Sequence, residues 1–148
     1  MNDTTKYTRW VAGLLFNAKG ELALVAKTHP AWQAGKLNGV GGKINEDESA
    51  ALAMQREFKE EAGVDVEGWK EFALLKVQDG QVHFFVAHGN YELQSMTDEQ
   101  VDWFDISNPT KLPLIQNLKW LIPLALDKNN HYTTIDYFQA DSVDTIAS

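Results

Sequence analysis

The stretch from Gly41 to Val64, GGKINEDESAALAMQREFKEEAGV, restricts the fold of this chain more than any other. Ser49 can cap a helix that runs to about Ala62, and Gly63 can end it in the left-handed conformation. Ala51, Met54, Phe58 and Ala62 recur at three- and four-residue spacing, so one stripe of that helix should face a core. Glu57, Glu60 and Glu61 project from the neighbouring face and adjoin one another. They sit at the negative end of the helix dipole, which adds to their mutual repulsion. Two readings fit this face. It is a solvated acidic surface screened by Arg56 and Lys59, or it carries a divalent cation. Carboxylate oxygens with room left for water and phosphate suit magnesium, with manganese as the alternative ion.

Composition narrows the class of protein. A chain of 148 residues, 44% of them hydrophobic, is long enough for one domain with a sizeable core. We read a single domain over 1–148, with a small, polar, loose tail from about 139 to 148. The absence of cysteine excludes disulfides, thiol nucleophiles and thiolate zinc sites, and it fits a cytoplasmic protein. The opening MNDTTKYTRW has no basic segment leading into an apolar core, so no signal peptide is expected. VAGLLF and WLIPLAL are too short to span a bilayer, so no membrane association is expected either. A net charge of −8 argues against binding nucleic-acid backbones, although an acidic protein still accepts a polyphosphate when metal ions bridge the two.

Elsewhere the chain reads as strands around two helices. Thr8 to Phe16 is apolar and β-branched, NAKG is a turn and ELALVAK a second strand, which together predict a hairpin. KTHPAWQAGKLNGVGG reads as mostly loop, and a loop that long in a small domain is usually functional or disordered. EFALLKVQ and QVHFFVAH flank Asp79-Gly80 as a second hairpin, and Gln100 to Ile106 is a further strand. Leu112 to Asp127 reads as a second helix, kinked or broken at Pro123. His29, His83, His88 and His131 have no metal-ligand spacing, and His83 and His88 should point to opposite faces of their strand. Trp10, Trp103 and Trp120 read as core or half-buried residues.

Counted from Gly42, the pattern is glycine, five residues, Glu48, seven residues, Arg56-Glu57-Phe58, one residue, Glu60-Glu61, one residue, Gly63-Val64. It resembles the signature of the Nudix hydrolases at every defined position. That resemblance implies an α/β fold, a mixed β-sheet sandwiched between helices (α/β/α) with a loop–helix–loop motif. It implies divalent-metal hydrolysis of nucleoside diphosphates linked to another moiety. By the same resemblance Glu57, Glu60 and Glu61 look like metal ligands and catalytic acids, with the Gly41 carbonyl a further ligand. Gly42, Glu48, Arg56 and Gly63 look structural, with Glu48 and Arg56 pairing to orient helix and loop. Any of the three glutamates could be the general base. A further acid outside the signature is expected to help; Glu99 is chosen for it, with Asp98 as competitor.

The similarity extends, more loosely, to the MutT-like branch that hydrolyses oxidised purine nucleoside triphosphates, from Thr8 to about Leu126. WQAGKLNGVGGK resembles its pocket loop, with Asn38 at the base-contacting asparagine and Trp32, six residues earlier, at an aromatic position. The branch's two adjacent aspartates are replaced by Asn117 and Leu118, and its pocket tryptophan by Ile115. Asn117 can still face a purine edge, because an amide offers both donor and acceptor. Each of these residues also has an ordinary reading: Trp32 as a loop anchor, Asn38 as a turn stabiliser, Asn117 as a solvent-facing helix residue. The implied activity is magnesium-dependent cleavage of a nucleoside triphosphate to monophosphate and pyrophosphate, with 8-oxo-dGTP or a related purine nucleotide as substrate. The alternatives are a hydrolase of ADP-ribose, dinucleoside polyphosphates or RNA 5′ ends, and a non-catalytic nucleotide sensor. Monomer and homodimer are equally open.

Overall fold

The computed structural model describes residues 7–137. Their strands are β1 (Thr8–Phe16), β2 (Glu21–Ala26), β3 (Leu37–Asn38), β4 (Val40–Lys43), β5 (Lys70–Val77), β6 (Gly80–His88), β7 (Val101–Asp105) and β8 (Thr133–Asp136). The helices are α1 (Ala50–Ala62) and α2 (Leu118–Leu126), with a single 3-10 turn at Pro109–Lys111. The strands form one mixed sheet, ordered β3-β2-β1-β6-β5-β8, with β4 also pairing with β1 and β7 with β2.

Period-two alternation divides the strands between two cores. On β1, Ala12, Leu14 and Phe16 face one side, where Leu118, Leu121 and Ile122 of α2 cover them. Val11 and Leu15 face the other side, against Ala53, Met54, Phe58 and Ala62 of α1. The helices therefore sit on opposite faces of the sheet, which is the expected sandwich. No helix among the described residues is long and apolar enough to cross a membrane.

Both hairpins form, but the first is slight. β1 and β2 meet at Phe16 and Leu22 and then diverge. The partners that hold β1 along its length are distant in sequence. β6 runs parallel to it from Thr8 to Phe16, and β4 runs antiparallel from Trp10 to Gly13. The stretch expected to be loop thus contains two short strands. Leu37-Asn38 pairs with β2, and the glycines that argued for a loop allow β4 to lie against β1. A further strand, β8, runs parallel to β5 and was not expected.

The second helix begins at Leu118, not at Leu112. Pro113 disfavours helical geometry at the residue before it. The segment pairs sideways instead: the Leu37 amide donates to the Pro113 carbonyl at 2.8 Å and the Ile115 amide to the Leu37 carbonyl at 2.9 Å. Pro123 lies inside α2. Trp10 and Trp103 are half-buried as expected, but Trp120 is 36% exposed and packs against Tyr137. The tail expected to be loose lies beyond the described residues.

Candidate active site

α1 is capped at both ends as its sequence requires. The Ser49 side chain accepts from the Leu52 amide at 3.2 Å, and Gly63, at φ 73°, donates its amide to the Lys59 carbonyl. The packed face is turned toward the glutamates relative to the expected stripe. Ala51 is exposed in the first turn, whereas Ala53 is buried. This turn brings Glu57 and Glu61 inward to half-buried positions and leaves Glu60 outside.

Arg56 organises the motif. Its Nε donates to Glu48 Oε2 at 2.7 Å and its Nη2 to Glu48 Oε1 at 2.9 Å, a bidentate pair. Nη2 also donates to the Lys43 carbonyl at 3.0 Å, which ties the helix to β4. Nη1 reaches Glu57 Oε2 at 2.8 Å and, more loosely, Glu60 Oε2 at 3.3 Å. The Arg56 hydrogen bonds, with the Asn45 amide, hold the Glu48 carboxyl below its usual range.

Glu57 lies on the bare backbone of Gly42, where a Cβ would overlap its carboxylate. Burial raises the Glu57 pKa, against the hydrogen bond and charge of Arg56. Glu61 is pushed to about 7, first by burial and then by the charge of Glu57, with Lys27 opposing. A cleft that raises the proton affinity of two carboxylates equally favours a metal cation there. Among the described residues no three His, Cys, Asp or Glu side chains are gathered around one point, since Glu57 and Glu60 are turned to Arg56. The donor set is nonetheless all carboxylate, with the Gly41–Gly42 backbone alongside, and it fits a hard divalent ion.

Glu61 also faces a cavity of about 250 Å³, shared with Trp10, Lys27, Gln33, Asn38 and Gly41-Gly42. The cavity opens where β2 and β4 part along the same edge of β1. Asn38, 6% exposed, lines this cavity. Trp32 does not; it is half-buried against the α2-side core, and Trp10 supplies the cavity's aromatic wall instead. Asn117 is fully buried just before α2, outside the cavity lining, so it is no solvent-facing residue. Its Oδ1 and Nδ2 have no partner, a costly state for a buried amide.

Of the two competing acids, Asp98 is exposed and Glu99 is buried. Glu99 is fully engaged with the strand leading into the pocket loop. It accepts from Lys27 Nζ at 2.9 Å, the Thr28 amide at 2.7 Å and the His29 amide at 3.2 Å. Burial opposes ionisation of Glu99, but these donors outweigh it and keep the carboxyl below its usual range. Its charge is felt at Glu61, so the two acids share one neighbourhood. Trp10 and Lys27 were not expected at the site, and Gln33, inside the stretch read as the pocket loop, was given no role. Only the pairing of β1 with β4 and the turn after Lys27 bring them together. His83 and His88 do lie on opposite faces; His83 pairs with Glu71 at 2.8 Å, and His88 stacks on Phe16.

The raised Glu61 pKa predicts a pH-dependent stability. Between its ordinary value of 4.5 and about 7, the folded chain holds a proton that the unfolded chain has released. The metal-free protein should therefore lose stability as pH rises through that window, on the order of 3 kcal/mol from this group. Glu48 and Glu99 have lowered values, so their contributions are lost only at more acid pH. Urea midpoints at pH 5 and pH 8 in chelator should show the loss in wild type and a smaller one in Glu61→Gln. Equal losses would refute the assignment.

The comparisons agree with this geometry. The profile of the NUDIX domain matches residues 6–124. The oxidized purine nucleoside triphosphate hydrolase of Danio rerio is 33% identical over 125 residues, covering 76% of this chain and 75% of that protein. The MutT protein of Bacillus halodurans superposes with a TM-score of 0.72 at 19% identity, over 91% of this chain and 93% of that one. The NUDIX domain of Shewanella oneidensis NrtR, solved with ADP ribose, gives 0.70 at 20% identity over 84% and 88%. With the complete glutamate motif, its Arg56–Glu48 clasp and the sandwich fold in place, the chain belongs to the Nudix family, as a hydrolase of the MutT-like kind.

Proposed function

We propose that this protein is a magnesium-dependent nucleoside triphosphate pyrophosphohydrolase that releases a nucleoside monophosphate and pyrophosphate, with oxidised purine nucleotides such as 8-oxo-dGTP among its better substrates. The observation that carries the reading is the junction of an acidic helix face with a cavity lined by Asn38 and Trp10. The activity of the Danio rerio relative supports the purine class. Glu57, Glu60 and Glu61 would hold the ion, with the Gly41 carbonyl and Glu99 as further candidates. When bound, a divalent ion supplies charge neutralisation for the phosphates and a lowered pKa for water. Glu57, Glu60 and Glu61 are the candidates to accept the proton of the attacking water. Lys27 lines the cavity with its ammonium paired to Glu99 at 2.9 Å. Trp10 offers an aromatic face for a base, a contact that is tolerant of base identity. Asn38, on the cavity wall, supplies the donor and acceptor that discriminate.

Magnesium-dependent product release over a panel of purine and pyrimidine triphosphates, ADP-ribose, dinucleoside polyphosphates and triphosphorylated RNA tests this reading. Purine triphosphates should lead. Asn38→Ala should lower kcat/KM on purines by about 5- to 150-fold more than on pyrimidines. Equal losses on both classes would remove base reading from this residue. Binding without turnover would identify a sensor.

A further inference from the structure

We propose that Gln33 is a positioning residue that fixes the direction of the Asn38 amide and so sets the base preference of the cavity. The proposal rests on the nucleotide-hydrolase reading above. The backbone amide of Gly39 can only donate, and it lies 2.8 Å from Asn38 Oδ1. The oxygen end of the Asn38 amide is therefore assigned by an unambiguous donor. The nitrogen end must face the other way, where Nδ2 donates to Gln33 Oε1 at 3.1 Å. Both side chains are almost fully buried, Gln33 at 2% exposed and Asn38 at 6%, and both line the cavity.

A short amide that rotates by half a turn exchanges donor for acceptor. A site that reads a base edge must suppress that exchange, because the order of donor and acceptor is the information read. Asn38 keeps one hydrogen on Nδ2 and one lone pair on Oδ1 for a ligand. With Gly39 at one end and Gln33 at the other, the order of those two groups is set before any ligand arrives.

Gln33 is itself held. Its backbone amide donates to the Pro30 carbonyl at 2.9 Å, and its backbone carbonyl accepts from the Lys36 backbone amide at 2.9 Å. The start of the same turn is tied down by Glu99 through the Thr28 and His29 amides. The turn from Lys27 to Lys36 thus delivers one acceptor to one place, and the residue it serves is Asn38.

The test compares wild type, Gln33→Met and Gln33→Glu, measuring kcat and KM with magnesium on purine and pyrimidine triphosphates. Methionine keeps the length of the side chain and removes the acceptor. Gln33→Met should raise KM for purines and lower the purine-to-pyrimidine ratio of kcat/KM by about 2- to 12-fold, the worth of one neutral hydrogen bond. Its kcat should stay near wild type. Gln33→Glu keeps an acceptor for Asn38 Nδ2 and should retain the wild-type ratio. A packing role alone would depress both substrate classes together. Retention of the ratio in Gln33→Met, or its loss in Gln33→Glu, overturns the proposal, and the second result decides alone if the methionine variant does not fold. A wild type with no triphosphatase activity or no purine preference overturns the functional reading and this proposal with it. A wild-type preference that survives Gln33→Met overturns this proposal only.

Discussion

Glu57→Gln and Glu61→Gln should each lower kcat on the best nucleoside triphosphate by about 10²- to 10⁴-fold while the fold survives. The expectation follows from where the carboxylates stand. Both are pushed toward the neutral form by burial, and Glu61 is pushed further by the charge of Glu57. Such groups do little for the metal-free fold, so neutral isosteres remove function without removing stability. Magnesium should raise the melting temperature of the wild type by mass action, and less so in either variant. Glu99→Gln should lose less, about tenfold, because its carboxylate is bound to the Lys27–His29 segment and a glutamine keeps one acceptor there. Asp98→Asn should be silent, since Asp98 is exposed. Wild-type rates in both Glu57→Gln and Glu61→Gln would refute the acidic face as the catalytic centre, and a larger loss in Asp98→Asn than in Glu99→Gln would exchange their roles.

Gly41→Ala and Gly42→Ala should fail in different ways, although the residues are neighbours. A Cβ on Gly41 would overlap the Val11 carbonyl oxygen and lie 2.9 Å from the Ala12 Cα. Both obstacles are backbone atoms of β1, whose other edge is held by β6, so no rotamer change relieves them. Gly41→Ala should destabilise by about 2–3 kcal/mol, with a clear fall in melting temperature. A Cβ on Gly42 would instead overlap the Glu57 carboxylate, the free end of a flexible side chain. Gly42→Ala should fold with little loss of stability and turn over substrate about 10- to 100-fold more slowly, because Glu57 is displaced. Thermal denaturation and steady-state kinetics on the pair separate the two effects. Equal stability in both variants would show that β4 does not lie against β1 as described.

The glutamate helix was legible in the sequence because its determinants are local. Ser49, Gly63 and the spacing of Met54, Phe58 and Ala62 act within a few turns, and the cap bonds at both ends are the ones those residue types prefer. Its one misplaced residue, Ala51, shows the limit of that reasoning. Periodicity identifies an apolar side, but the angle at which that side meets the sheet depends on β1 and β4. That angle brings Ala53, Glu57 and Glu61 inward. The early end of the second helix was misjudged for a related reason. The apolar pattern from Leu112 continues without a break, yet the backbone there bonds sideways to Leu37.

Sequence alone determined the chemistry available to this protein: three carboxylates on one helical face, an arginine and glutamate to orient them, and glycines where backbone must come close. Those are matters of residue type and short-range spacing. The tertiary structure alone decided what shares a cavity with them. Trp10 rather than Trp32 forms the aromatic wall, Gln33 meets Asn38, and Lys27 pairs with Glu99 and acts on Glu61, because β2 and β4 part along β1. Strand pairings between distant segments carry almost no local signal. They are selected by the burial of the whole sheet against two helices, which no single stretch of the chain encodes.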